Sequence, residues 1–131
     1  MLVVEASAIV DLVLEQPTNA ALAARIATSE ELHAPHLLDV EVLSVVRRLC
    51  KNGSLSTDAG TAAVHNFKRL PISRYPHEPF LDRIWELRDV LTFYDSVYVA
   101  LAEALDLTPV TSDAKLGRAH GHRATIESYA R

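Results

Sequence analysis

Short runs of β-branched and aliphatic residues alternate with helical segments along the 131-residue chain. The first run, Leu2-Val3-Val4, is continuously apolar, which is typical of a strand buried on both faces. Strands separated by helices favour a parallel sheet that is covered by helices on both sides. We therefore predict an α/β fold, a three-layer α/β/α sandwich with a short, mainly parallel central sheet. The predicted strands are residues 2–4, 32–34, 72–75, 108–111 and 124–126.

Capping residues and prolines predict where the helices begin and end. Ser7 is predicted to cap a first helix that Pro17 stops. Residues 36–52 carry the strongest helical pattern, with Gly53 where a left-handed C-cap belongs. Trp85 lies at helical spacing from apolar neighbours and is predicted to be in the core. The other predicted helices are residues 20–27, 57–70, 79–90, 94–105 and a short one after Asp113.

Composition restricts the class of protein. A chain with 49% hydrophobic and 23% charged residues is predicted to form one folded domain over residues 1–131. The single cysteine, Cys50, excludes an intramolecular disulfide and a cysteine-based zinc site. Because no membrane-spanning run or signal-peptide pattern is evident either, we expect a cytoplasmic protein with no membrane partner. The net charge of −4 excludes duplex binding through a broad basic surface, but not an enzyme that reaches nucleic acid through bound metal.

Four carboxylates fall where such a fold collects ligands, at the carboxyl ends of its strands. Glu5 ends the first strand, and Asp113 follows a late one. Asp95 lies in the first turn of a late helix, and Glu41 lies one turn into the helix that follows Pro35. The neighbours of Glu41 on its helix face are aliphatic, and a carboxylate there is costly unless it is paired or bound to a metal.

A divalent cation would make this group of acids tolerable. Converging carboxylates repel one another and shift toward their neutral forms, and an ion removes that penalty. Mg²⁺ or Mn²⁺ suits oxygen ligands, and two ions about 3.5–4 Å apart can hold the attacking and leaving oxygens of a phosphodiester cleavage. A structural alternative exists for Asp95 and Asp113, because acids are favoured at helix N-termini without any metal.

Four segments resemble the PIN-domain ribonucleases and, among them, the VapC toxins of bacterial toxin–antitoxin pairs. The resemblance extends over nearly the whole chain and is carried by residues 3–8, 34–42, 94–102 and 111–116. It implies a Mg²⁺-dependent endoribonuclease that acts on structured RNA such as tRNA or rRNA. It also implies a homodimer that a small VapB-type antitoxin inhibits, in a heterotetramer or a larger assembly.

The resemblance carries the four catalytic acids of the family onto the four carboxylates already noted. Glu5 and Asp95 are expected to hold the principal ion. Glu41 is expected to bind that ion or orient its waters, and Asp113 to hold a second or weaker ion.

Further residues are predicted to surround these ligands. The hydroxyls of Ser7 and Ser112 are close enough in sequence to support the metal ligands, with helix capping as the alternative. Lys115 and Arg118 follow Asp113 and are expected to lie near the RNA.

Position 5 departs from the family pattern, which has an aspartate where this chain has Glu5. A displacement of about 1 Å in a catalytic group can cost on the order of 10²-fold in rate. The site could adjust and stay active, it could be attenuated so that the chain is a protein-binding module, or Glu5 could be an introduced change. A phosphoacceptor signalling domain is a weaker third class, because no acid follows the strand predicted at residues 72–75.

Overall fold

A five-stranded sheet runs through the part of the chain that the computed structural model describes, which is residues 1–14, 19–29 and 31–130. Every strand pairing in it is parallel, which confirms the predicted α/β class. The strands are β1 (Leu2–Val4), β2 (Leu32–Pro35), β3 (Ile72–Tyr75), β4 (Thr108–Thr111) and β5 (Glu127–Ser128). Their order across the sheet is β3-β2-β1-β4-β5.

Seven α-helices and one 3₁₀ turn, Glu78–Phe80, connect the strands within the described residues. The amino-terminal half contains α1 (Ala6–Val13), α2 (Ala20–Ala27), α3 (Leu37–Lys51) and α4 (Thr57–Lys68). The carboxyl-terminal half contains α5 (Leu81–Glu86), α6 (Phe93–Leu105) and α7 (Ala114–Gly117). None of these helices is long and apolar enough to cross a membrane.

The strand order assigns the helices to the two faces of the sheet. From β1 through β2 to β3 the chain steps outward in one direction, and from β3 to β4 and β5 it steps in the other. Parallel crossovers are almost always right-handed, so α1–α4 cover one face and α5–α7 the opposite face. Accordingly α1 packs against α3 and α4, whereas α6 packs against α5 and over β1, β2 and β4. The direction reverses between β1 and β4, and this reversal opens a crevice at the strand ends.

The core lies between these layers and is mostly aliphatic. All three residues of β1 are fully buried, as the continuously apolar run predicted. The helix α6 is buried over seven consecutive residues, from Ser96 to Ala102, because it lies across the middle of the sheet. Its fully buried Tyr98 is the largest side chain of the core that carries a polar group.

Most predicted boundaries agree with the structure. Gly53 has a positive φ of 84°, as the predicted left-handed C-cap requires. The helices α4 and α2 begin after the capping side chains of Ser56 and Asn19. The predicted stop at Pro17 lies outside the described residues.

The predicted N-cap of the first helix is wrong. Glu5 caps α1, and Ser7 lies inside the helix. The carboxylate of Glu5 turns back and accepts the backbone N–H of Ser7, so the serine is not needed as a cap.

Three predictions for the carboxyl-terminal half are also corrected. The helix predicted to run to Val90 ends at Glu86, because the N–H of Leu87 bonds to carbonyls three and four residues back and closes the helix with a tight turn. Trp85 is not in the core but 59% exposed. The last strand is Glu127–Ser128 rather than residues 124–126, where Ala124 and Ile126 pack against the hydrophobic core.

Candidate active site

Two of the predicted acids, Glu5 and Asp113, follow the strands β1 and β4 that form the crevice. The N–H of Glu5 donates to the carbonyl of Val110 at 3.1 Å, so the pairing of the two strands continues one residue past the end of β1. This pairing brings Glu5 beside Thr111, the last residue of β4. Residues more than a hundred positions apart in the chain therefore share one edge of the sheet.

The Glu5 side chain is buried and held by uncharged donors. Its Oε2 atom accepts the N–H of Ser7 at 3.0 Å, the hydroxyl of Thr111 at 2.9 Å and the hydroxyl of Ser7. Burial raises the pKa of the Glu5 carboxyl, the hydrogen bonds act in the opposite direction, and the negative charge of Asp95 raises it again. The carboxylate is thus fixed in position, but no cation of the described residues balances its charge.

The hydroxyls around Glu5 also connect it to the loop after β4. Ser7 Oγ accepts the N–H of Ser112 at 3.1 Å, and Thr111 Oγ1 accepts the N–H of Asp113 at 2.9 Å. Ser7 contacts Glu5 directly, and its predicted role in supporting a metal ligand stays a prediction. For Ser112 the contact comes from the backbone N–H instead of the predicted hydroxyl.

Asp113 is placed by this network at the start of α7. Its Oδ1 accepts the N–H of Lys115 at 2.9 Å, so Asp113 caps α7. The structural alternative thus holds for Asp113, and its second carboxylate oxygen is left for another role. Its charge contributes to the field at Asp95.

Glu41 projects from α3 and meets α6. Its Oε1 accepts the hydroxyl of the buried Tyr98 at 2.5 Å. Burial raises the pKa of the Glu41 carboxyl, the Tyr98 bond lowers it, and repulsion from Glu5 and Asp95 raises it. The same surroundings raise the pKa of the Tyr98 hydroxyl, which therefore stays a proton donor to Glu41.

Asp95 lies in the first turn of α6, as predicted. Its N–H is capped by the hydroxyl of Thr92 at 3.2 Å, so Asp95 is not itself the N-cap. Burial raises the pKa of the Asp95 carboxyl and the charge of Asp113 raises it further, while Lys115 partly offsets both. The four acids thus belong to one electrostatic neighbourhood, since each raises the pKa of another or has its own pKa raised by another.

The donor set of this neighbourhood consists of hard carboxylate oxygens, which suits Mg²⁺ or Mn²⁺. Over residues 1–14, 19–29 and 31–130, no three His, Cys, Asp or Glu side chains already stand in a ligating arrangement. This is compatible with Mg²⁺, which commonly takes one or two carboxylates, several waters and substrate phosphates. Burial and, to a smaller extent, the neighbouring carboxylates raise the pKa of Glu5, Glu41 and Asp95, and a divalent cation would offset both effects.

Two clefts each contain one of the acids. One, of about 510 Å³, contains Asp95 together with the predicted RNA-contacting Lys115 and Arg118. The other, of about 440 Å³, contains Glu41 and is otherwise formed by Leu37, Val40, Ser44 and Tyr94. The structure thus puts positive charge in the cleft at Asp95 and apolar surface in the cleft at Glu41.

Sequence reasoning missed three residues of the site: Thr92, Tyr98 and Thr111. Tyr98 had a signal, because it follows Asp95 by three positions and so shares its helix face. Thr111 had a weaker one, as a polar residue in a strand predicted to be buried. Nothing local indicated that these two hydroxyls would reach Glu41 and Glu5.

Comparison with known proteins agrees with this fold. The PIN domain model matches residues 2–121, so the chain belongs to the PIN-domain family. Ribonuclease VapC12 of Mycobacterium tuberculosis (strain ATCC 25618 / H37Rv) is 42% identical over 130 residues, which are 99% of this chain and 100% of that protein. The predicted resemblance to VapC-type PIN proteins is thereby confirmed.

Two solved structures share the fold at low sequence identity. The sarcin–ricin-loop-cleaving toxin VapC20 of M. tuberculosis has a TM-score of 0.68 and 13% identity, over 89% of this chain and 93% of that one. A toxin–antitoxin complex from Klebsiella pneumoniae has a TM-score of 0.67 and 13% identity, over 100% of this chain and 99% of that one.

Proposed function

We propose that this chain is a metal-dependent endoribonuclease and the toxin of a VapBC-type toxin–antitoxin system. The observation that carries the proposal is the electrostatic coupling of Glu5, Glu41, Asp95 and Asp113 near the β1–β4 crevice, where Lys115 only partly offsets the negative charge at Asp95. The similarity to proteins named ribonucleases supports the reaction class.

Each residue of the crevice would have its own role in phosphodiester hydrolysis. Mg²⁺, or Mn²⁺ in its place, would supply Lewis-acid polarisation of the scissile phosphate and a water of lowered pKa. Glu5 and Asp95 would hold the principal ion, and Asp113 a second or weaker one. Glu41, oriented by the hydroxyl of Tyr98, would bind the ion or position the attacking water and accept its proton.

The proposed substrate and partners are based on proteins of similar fold and on the positive charge of the cleft at Asp95. RNA, either tRNA or rRNA, is the proposed substrate, since a similarly folded toxin is named for cleaving the sarcin–ricin loop. Lys115 and Arg118 would contact its phosphates. A VapB-type antitoxin is the proposed inhibitor, in a heterotetramer or larger assembly built on a homodimer, and the cytoplasm is the proposed location; the toxin–antitoxin complex of the same fold supports such a partner.

Position 5 gives the sharpest test, because the two accounts of Glu5 differ in outcome. The purified chain and its Glu5→Asp variant are incubated with total RNA, with Mg²⁺ or with EDTA. We expect cleavage by both in Mg²⁺, within about 10-fold of each other, because three hydrogen bonds already fix the Glu5 carboxylate. EDTA should abolish cleavage in both, and cleavage that persists in EDTA would refute the proposal.

A second function, a protein-binding module of attenuated activity, is favoured by one observation. Glu5 uses one carboxylate oxygen as a helix cap, on a side chain one methylene longer than the family's aspartate. A gain of about 10²-fold or more in Glu5→Asp would support that account, because a displacement of that size carries a penalty of that order.

A further inference from the structure

The exposed face of Trp85 is occupied by an arginine. Trp85 lies on α5 and is 59% exposed. Large exposed apolar surface commonly marks an interaction site. The guanidinium of Arg88 stacks over it, with its central carbon 4.7 Å from the ring centroid. The Arg88 side chain also donates to the carbonyl of Trp85 at 3.1 Å. On the other side, the ring contacts Phe93 at a centroid distance of 5.9 Å.

These contacts fix the direction in which Arg88 extends. A free arginine loses rotamer entropy when it binds a ligand, and a stacked guanidinium has lost part of it already. Cation–π stacking leaves the edge of the guanidinium, with its N–H groups, available to a second partner. Trp85 is therefore a platform that presents Arg88, which gives a reason for an exposed tryptophan.

Arg88 lines the cleft of about 510 Å³ that contains Asp95. One wall of this cleft comes from the segment between α5 and α6, and the opposite wall from α7 and the loop after it. Three cations, Arg88, Lys115 and Arg118, outnumber the two acids of this cleft, although the net charge of the chain is −4. The charged or titratable residues that line the cleft are Arg88, Asp89, Asp95, Lys115, Arg118 and His120.

We propose that Arg88, presented by Trp85, forms with Lys115 and Arg118 a binding site for a backbone phosphate of single-stranded RNA next to the scissile one. The proposal rests on the function proposed above and specifies the direction in which the bound RNA extends from the active site. The cleft on the Glu41 side contains no cation, so the polyanionic backbone leaves the acids toward Arg88. Guanidinium edges bind phosphate oxygens in pairs, which suits Arg88 to this position.

The test uses Trp85 as a reporter, because it is the only tryptophan of the chain. Binding of a fluorescein-labelled ten-nucleotide oligouridylate is measured in EDTA, so that cleavage plays no part. We expect the emission of Trp85 to change on binding. We expect Arg88→Gln to weaken binding about 5-fold at low salt and to reduce the slope of log affinity against log salt by about 0.7, as the loss of one phosphate contact on a single strand requires.

The matched control is Arg48→Gln, the same change in charge at an exposed position of α3 outside this cleft. It should leave both the affinity and the salt slope unchanged. Arg88→Lys, which keeps the charge but lacks the planar guanidinium, should bind less tightly than the parent chain and more tightly than Arg88→Gln.

Several outcomes overturn the site. Equal effects of Arg88→Gln and Arg48→Gln, no binding of the oligouridylate, or binding that leaves Trp85 emission unchanged would each do so. Trp85 emission that depends on protein concentration but not on RNA would instead assign this face to a second copy of the chain. Because the assay contains no metal, failure of the ribonuclease proposal would appear separately, as normal oligouridylate binding without cleavage in Mg²⁺.

Discussion

Acidic side chains are withdrawn from water near both ends of α6, and the fold shifts their pKa values in opposite directions. Near the carboxyl end of α6, the Glu103 side chain is only 2% exposed, and Arg83 donates to both of its oxygens at 2.7 and 2.9 Å. The N–H of Arg123 adds a third bond at 2.6 Å. Arg83 therefore holds the pKa of Glu103 below its usual value, despite the burial.

At the amino-terminal end of the same helix, Asp95 and its neighbours are also withdrawn from water. Their hydrogen-bond donors are uncharged, and the pKa values of Glu5, Glu41 and Asp95 are all raised. The difference is that the paired carboxylate of Glu103 ties α5, α6 and the carboxyl-terminal loop together. In the unpaired group only Lys115 partly offsets the charge of Asp95, so we infer that the group takes a further cation from solution.

The largest expected effect is on activity at the unpaired group. Asp95→Asn keeps the shape of the side chain but removes the charge that would hold the metal. We expect RNA cleavage in Mg²⁺ to fall about 10³-fold, which corresponds to roughly 4 kcal/mol of transition-state stabilisation, with folding intact by circular dichroism. Retention of more than a tenth of the cleavage rate would contradict the assignment of Asp95.

At the paired carboxylate of Glu103 we expect a loss of stability and no change in activity. Glu103→Gln leaves Arg83 and the N–H of Arg123 without a charged acceptor, so we expect a loss of about 2 kcal/mol in the free energy of unfolding. This value is below that of a fully buried pair because Arg83 is 23% exposed. Chemical denaturation measures the loss, and cleavage per folded molecule should not change. The control is Glu86→Gln, at the exposed partner of Arg83, which should change stability by less than about 0.5 kcal/mol.

A smaller effect is expected at the hydroxyl that orients Glu41. Tyr98→Phe keeps the ring in the core but frees the Glu41 carboxylate, and we expect a loss of about 10-fold in cleavage together with a higher Mg²⁺ requirement. Tyr129→Phe is the matched control, since the Tyr129 hydroxyl also donates to a glutamate, Glu127, away from the site. Equal losses in the two variants would show that Tyr98 acts only on stability.

The smallest expected effect is on the thermal stability of the metal-free chain and its dependence on pH. Because the folded state raises the pKa of Asp95, it binds more protons than the unfolded state, and stability falls as the pH rises from about 4 through the raised value. In EDTA at pH 7.5, Asp95→Asn should therefore melt roughly 3 °C higher than the parent chain, and the gap should narrow as the pH approaches 4.

Two controls accompany this measurement. Asp82→Asn, at an exposed acid of α5, should show no such rise in melting temperature. Mg²⁺ should stabilise the parent chain at pH 7.5 more than it stabilises Asp95→Asn. A parent chain that is equally stable with and without Mg²⁺ would indicate that the acids hold no ion.

The comparison of the two groups also shows the limit of the sequence. Glu103 and Asp95 lie on the same helix, and no local pattern distinguishes them. Glu103 is paired because Arg83 and Arg123, each twenty positions away along the chain, approach it in the folded state. Trp85 illustrates the same point, since its helical spacing predicted burial, whereas the structure buries Ile84 and Leu87 and leaves the ring exposed.

The sequence by itself determined the α/β class, the first four strands and the placement of the four acids near strand ends or helix starts. These properties depend on local periodicity and on which residue follows a strand, and both are fixed by chain order. The tertiary structure alone decided that Thr111 and Tyr98 donate to Glu5 and Glu41, that Glu5 caps α1, and that Arg88 lines the cleft at Asp95. Such contacts depend on how helices cross and which rotamers the packing permits, and residues distant in sequence share no pattern that encodes them.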